Sequence, residues 1–154
     1  MDVGVIGVGV VGGACKFGFE LAGHNVLVHD IALETTIDDV LPSEVVYICV
    51  PTPRDNDGSC DISIVRQVIS ELKSKGYEGV VAIKSTVVPG TTEILRMQTG
   101  MNIIFVPEFL RERCAITDFT ENHDVCIVGC SDDNEGSRSL DGEAAIGHPY
   151  RAID

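Results

Sequence analysis

Glu108, Arg111, Glu112 and Arg113 crowd onto the end of an apolar run, in the stretch VPEFLRERCAITDF at 106–119. Two carboxylates and two guanidinium groups so close can form one wall of a site, or a salt-bridged turn in solvent. A second cluster is more specific. Gly7-x-Gly9-x-x-Gly12 follows the apolar run VGVI and opens a helical pattern. Gly7 permits a tight turn, Gly9 lets a pyrophosphate approach the backbone, and Gly12 allows close packing of helix on strand. The helix start adds unpaired N–H groups and partial positive charge. Asp30 ends the next apolar run, 18 residues after Gly12. There a carboxylate can hold the hydroxyls of an adenosine ribose, which points to a dinucleotide ligand. The alternative is a plain turn with a solvated Asp. No arginine follows Asp30 in Ile31–Leu33 to offset its repulsion of a 2′-phosphate, so NAD is favoured over NADP.

The elements that must position these groups can be read from periodicity. Short β-branched or apolar runs at 3–7, 25–30, 44–50, 79–88, 102–106 and 124–130 predict strands. Helices are expected at 12–22, closed by Gly23, at 61–75 and at 91–98. Asp61 is the expected N-cap of the second helix, whose Ile64, Val65, Val68, Ile69 and Leu72 form one stripe. Lys73 and Lys75 occupy its last turn and Gly76 follows, as the helix dipole and a C-cap favour. Thr91 or Thr92 would cap the third helix. Strands apolar throughout and separated by helices imply a mostly parallel sheet covered on both faces. The expected architecture is a Rossmann-like, doubly wound α/β sheet in a single domain over 1–130. Only 14 residues separate Asp30 from Val45, a shortened connection with room for a turn or two of helix around Ile37, Val40 and Leu41. The polar, glycine-rich tail 131–154 is expected to be mobile or loosely docked.

Sheets of this type bind ligands beyond the carboxyl ends of their strands. Three unusual segments fall there: VPTPRDNDG at 50–58, KSTVVPGTT at 84–92 and VPEFLRE at 106–112. Taken singly they could be a proline-braced turn, a helix entry and a surface turn. One shared ligand accounts for all three together.

Composition narrows the classes. A chain of 154 residues suits one domain and buries about 70% of its unfolded surface. Its net charge of −13, from 24 acidic and 11 basic residues, opposes binding to nucleic acid or an anionic membrane. No apolar run reaches the roughly 18 residues of a membrane span. No secretory signal is visible. The 6 cysteines form no CxxC pair and sit mostly in apolar stretches, so a reduced, cytoplasmic setting is expected. Cys126 and Cys130 have no second ligand pair at zinc spacing, and no metal site is expected.

The motifs GVGVVGG, Asp30, VPTP, DIS, IKSTVVPGTTE and PEFLRE…A…DF follow one another as in the nucleotide-sugar dehydrogenases. Residues 1 to about 129 resemble the NAD-binding domain of the UDP-glucose and GDP-mannose 6-dehydrogenase family. The resemblance implies that Gly7, Val8, Gly9, Val10, Val11 and Gly12 hold the NAD pyrophosphate and that Asp30 binds its ribose. It implies that Val50, Pro51, Thr52, Pro53 and Arg54 lie along the cofactor, with Ser85, Thr86 and Val87. Glu108 matches a glutamate that positions water and relays a proton, with Thr86 and Glu112 in support. Glu108, Phe109, Leu110, Arg111 and Glu112 match a segment that touches the sugar nucleotide, and Glu112 also lies near the nicotinamide. Arg113 stands where the family usually has glycine.

The family reaction oxidises a sugar C6 alcohol twice, to a carboxylate, through a thioester on a cysteine. That cysteine and a key lysine lie in a motif resembling GGxCxPKD, which does not occur here. Cys114 near the charged wall is expected to be merely packed. Two readings follow. The chain is the NAD-binding domain of a nucleotide-sugar dehydrogenase, acting on UDP-glucose or another nucleotide sugar with a separate catalytic chain or as a homo-oligomer. Alternatively it is an inert NAD-binding or regulatory module derived from that family. A third, a short-chain reductase using Glu108 as acid/base group, has less to support it.

Overall fold

The computed structural model describes residues 1–122, 126–129 and 150–153, the last as backbone only. Its strands are β1 (Asp2–Ile6), β2 (Asn25–His29), β3 (Val45–Ile48), β4 (Val80–Ile83), β5 (Ile103–Phe105), β6 (Cys126–Gly129) and β7 (Tyr150–Ile153). Helices α1 (Val10–Leu21), α2 (Ser63–Ser74), α3 (Thr91–Thr99) and α4 (Ala115–Thr120) connect them, with 3-10 turns at Ile37–Val40 and Glu112–Cys114. The strands form one sheet in the order β2-β1-β3-β4-β5-β6-β7. The first five are parallel, β6 is antiparallel to β5, and β7 is parallel to β6.

Strand residues alternate between two cores. Val3, Val5, Val45, Tyr47, Ala82 and Ile104 face Ala14, Cys15 and Phe19 of α1 and Ala115 and Phe119 of α4. Ile6, Val46, Ile48, Val81, Ile83 and Ile103 face Val65, Val68, Ile69 and Leu72 of α2 and Leu95 of α3. Both faces of β3 and β4 are therefore buried, which is why these strands are apolar at every position. The doubly wound α/β expectation holds.

Several boundaries differ from expectation for local reasons. The run 79–88 yields only a four-residue strand, because the N–H groups of Lys84 and Ser85 both turn to the Ile48 carbonyl, at 2.9 and 3.0 Å, and end the ladder. Helix α2 starts at Ser63 with Ile62 as its N-cap, yet Asp61 Oδ1 accepts the Ser63 N–H at 2.8 Å, so Asp61 acts one residue early. Gly90, in the left-handed region at φ 87°, caps α3 in place of either threonine. The short connection after β2 forms the 3-10 turn Ile37–Val40, closed at its start by a Thr36–Asp39 capping box.

Helix α4 and strand β7 had no sequence signal. Six residues of helix span about 9 Å. Strand β6 then runs against β5, the one antiparallel pairing among the described strands. In the expected polar tail, Tyr150–Ile153 instead pair in register with Cys126–Gly129. Residues 131–149 and 154 of that tail, and Cys130 before it, lie outside the described residues.

Candidate functional site

The strand registers decide where the site is. His29, Ile6, Ile48, Ile83 and Phe105 stand in one row across five strands. The residues that follow them (Asp30, Gly7, Cys49, Lys84 and Val106) therefore leave the sheet along one carboxyl edge. In this strand order the connections diverge between β1 and β3, opening a crevice at Gly7 and Cys49.

The glycine turn is built as its spacing suggests. Gly7 has φ 87°, and a Cβ there would meet the Cys49 carbonyl oxygen at 2.8 Å. A Cβ on Gly12 would overlap the Gly7 carbonyl, so helix and strand meet only because both are bare. Gly9 differs. Its φ of −73° suits any residue, and a Cβ on it would meet nothing within 4 Å. Neither backbone nor packing needs a glycine there, and the space beside it is open. Gly9 is the N-cap of α1 and has no side chain to satisfy the first N–H groups of the helix, which stay available to an anion.

Asp30 is anchored beside this turn. Its Oδ2 accepts the Val8 N–H at 2.6 Å and its Oδ1 the Ala32 N–H at 2.8 Å. These bonds, Ala32 first and then Val8, lower its pKa and keep it ionised. A carboxylate has about four acceptor positions, so two remain for the hydroxyls of a sugar. Beside it lies a cavity of about 310 Å³, walled by Ile31, Val50, Pro51, Ile64 and Val68, with Gly7, His29, Gln67 and Glu71 at its margins. An apolar slot with a fixed carboxylate at its mouth fits a nucleoside. Ile64 and Val68, expected in the α2 core stripe, line this slot as well, and Ile31 was not among the expected site residues. The available signal was Ile31 itself, an isoleucine directly after the carboxylate, 99% exposed.

A second cavity of about 450 Å³ lies on the other side of the turn. Gly9, Val10, Gly13 and Ala14 form one wall, and Glu112, Arg113, Cys114, Ala115, Ile116 and Thr117 the other. The crowded charges of 108–113 resolve here. Arg111 pairs with neither nearby glutamate. Its guanidinium grips Asp118 through two bonds, Nε to Oδ2 at 2.9 Å and Nη2 to Oδ1 at 2.7 Å, and its main-chain N–H adds a third at 3.0 Å. The Arg111 guanidinium holds the Asp118 carboxyl well below the usual carboxylate range. Glu108 Oε2 accepts the Leu110 N–H at 2.7 Å. Burial, then the bond to Asp118 at 3.4 Å, pushes the Cys114 thiol up, which disfavours the nucleophilic thiolate.

Of the residues expected at the site, Gly7, Gly9, Val10, Asp30, Val50, Pro51 and Glu112 line these two cavities. Val8, Val11 and Gly12 build the turn between them. Thr52, Pro53 and Arg54 continue from β3 into a small hairpin, where an Arg54–Cys60 bridge brings the Arg54 guanidinium over Gly58. Ser85 is buried, its hydroxyl 2.7 Å from the Val50 carbonyl, and so ties the ends of β3 and β4 together. The Thr86 carbonyl accepts the Cys60 thiol at 3.4 Å, and Val87 packs partly on the second core. Glu108, Phe109 and Leu110 stand at the end of β5 on the same edge, outside both cavities, with Phe109 66% exposed. Lys84, buried on this edge, lies 5.8 and 5.5 Å from the ring centres of Tyr47 and Phe119.

Residues 31–143 match the model of the UDP-glucose/GDP-mannose dehydrogenase family, NAD binding domain. The chain belongs to this family. The match begins one residue after Asp30, so the geometry of the glycine turn is an independent observation. The chain is 32% identical over 114 residues to the UDP-glucose 6-dehydrogenase AglM of Haloferax volcanii, covering 64% of this chain and 26% of that protein. It is 36% identical over 111 residues to the UDP-glucose 6-dehydrogenase of Rhizobium meliloti, covering 66% and 25%. A solved UDP-glucose dehydrogenase from Pyrobaculum islandicum superposes with a TM-score of 0.86 at 28% identity, over 99% of this chain and 46% of that one. The chain thus spans about a quarter of these curated relatives and under half of the solved structure. It is an NAD-binding domain of the family. Among the described residues no helix is long and apolar enough to cross a membrane, and no cluster of His, Cys, Asp and Glu is arranged to hold a metal ion.

Proposed function

We propose that this chain binds NAD across the β1–β3 crevice as the cofactor half of a cytoplasmic nucleotide-sugar dehydrogenase. The observation that carries the reading is the open space at Gly9 beside the anchored carboxylate of Asp30. The adenosine lies in the slot of Ile31, Val50, Pro51 and Ile64, its ribose on the free acceptor positions of Asp30. The pyrophosphate crosses Gly9 at the start of α1, and the nicotinamide end faces Glu112. Bound NAD supplies a hydride acceptor for the sugar C6 carbon. Glu108 and Thr86 stand beyond it on the same edge, where Glu108 can accept a proton from a substrate hydroxyl. Phe109 to Glu112 offer a wall to the sugar nucleotide.

Cys114 is the cysteine nearest that wall, and its raised pKa and bond to Asp118 disfavour a role as the thioester nucleophile. No cysteine here stands in a GGxCxPKD-like motif, so the thioester cysteine of the full double oxidation is assigned to a separate catalytic chain or further protein. UDP-glucose is the first substrate to try.

Calorimetric titration tests the reading. NAD should bind and NADP bind more weakly. Asp30→Ala should weaken NAD by about ten- to a hundredfold, the loss of about 1.5–3 kcal/mol that one hydrogen bond to a charged group contributes. The chain alone should produce NADH from UDP-glucose only at background rate. Equal affinity for NAD and NADP would show that Asp30 does not meet the ribose. Robust turnover, abolished by Glu108→Gln, would make the chain a complete dehydrogenase.

A further inference from the structure

The pyrophosphate site raises a question of charge. A dinucleotide brings two negative charges to a chain whose own net charge is −13. The start of α1 offers about half a positive charge. Asp30 and Glu71 border one cavity and Glu112 the other, all acidic. Arg113 is the one Lys or Arg side chain among the residues lining either cavity, and it stands across from Gly9, Val10 and Gly13.

Arg111 and Arg113 are differently employed. Arg111 is committed to Asp118 by its guanidinium and its main chain, and the Cys114 N–H returns to the Arg111 carbonyl at 2.9 Å. This clamp fixes the 3-10 turn Glu112–Cys114 against α4. Arg113, in the middle of that turn, is exposed and makes no hydrogen bond or ion pair among the described residues. One arginine is scaffold and the other is left to face the cavity. A guanidinium suits this place because its planar donors match two phosphate oxygens at once.

We propose that Arg113 is a further cofactor-binding residue, closing over the pyrophosphate from the side opposite the α1 N-terminus. The inference rests on the NAD-binding reading and adds to it a second, cationic wall. It predicts a ligand preference: molecules with a diphosphate gain from Arg113, and the nucleoside alone does not.

The test compares NAD, ADP-ribose and adenosine on the full chain, by calorimetry for the first two and NMR titration for the third. Arg113→Gln should weaken NAD and ADP-ribose by about tenfold and leave adenosine unchanged, with Arg113→Lys recovering part of the loss. Its ligand-free melting temperature should match the wild type, because no bond is removed. Lys16→Gln removes the same charge from α1, where Lys16 pairs with Glu20, and should leave all three affinities within about twofold. Undiminished NAD and ADP-ribose binding in Arg113→Gln would overturn the inference while leaving the parent reading intact. An equal loss for adenosine would also overturn it, by showing a general disturbance of the fold. A wild type that binds neither NAD nor ADP-ribose would defeat the parent reading and this one with it.

Discussion

At the scale of single residues, glycines that look equivalent in the sequence do different work. Gly12 is demanded by the protein, since its Cβ would overlap the Gly7 carbonyl. Gly9 is not, since its Cβ would meet open space. Gly12→Ala should therefore cost about 1–3 kcal/mol of stability through overpacking, whatever ligand is present. Gly9→Val should fold with nearly the wild-type melting temperature and lose the stabilisation by NAD, about 2.7 kcal/mol at a hundred times the dissociation constant. Thermal melts with and without NAD separate the two. A Gly9→Val protein still stabilised by NAD would show that the pyrophosphate lies elsewhere. The turn was legible because its backbone demands glycine at Gly7 and Gly12, and Asp30 because it stands at the end of β2. Ile31 and Ile64 were less so, because an apolar residue that lines a slot is written like one that fills a core.

At the scale of elements, α4 is the part that the sequence hid. AITDFT carries β-branched residues at three of six positions and has little helical preference of its own. Tertiary contacts hold it in place. Phe119 packs edge-on against Phe19 at 5.6 Å and over bare Gly18, and Asp118 receives Arg111. A Cβ on Gly18 would run into the Phe119 ring, so Gly18→Ala should lower stability by about 1–3 kcal/mol and loosen α4 first, read by amide exchange. The Arg111–Asp118 clamp has a pH signature. Asp118 has a folded pKa below its unfolded value of about 3.9, so its contribution is complete above that pH and is lost as the pH falls through the folded value. Asp118→Asn should melt lower than wild type by a constant margin from pH 7 to 5, and the margin should shrink below about pH 4. A margin independent of pH down to 2 would show that the ion pair adds nothing. The strands were easier to read, because burial on both faces leaves no polar position to blur the pattern. Their ends were not, as the β-branched STVV after β4 shows: it looks like strand but turns away once Ser85 binds the end of β3.

At the scale of the whole molecule, a single geometric fact organises the account: five strands end in one row, and the chemistry-bearing loops all leave from that row. The three sequence segments singled out at 50–58, 84–92 and 106–112 fall there because the sheet is parallel, not because they are near in sequence. Legibility failed where the sheet departs from that plan: β6 was expected as a strand at 124–130 but not its antiparallel direction, and β7 was not expected. The central claim is that NAD occupies the crevice at the divergence of β1 and β3. Backbone amide shifts followed during an NAD titration test it most directly. Saturable shifts should concentrate at Val8–Gly13, Asp30–Ala32, Val50 and Glu112–Cys114, with β6 and the exposed end of α2 unmoved. No saturable change at millimolar NAD, or changes centred away from the Gly7–Gly12 turn, would contradict it.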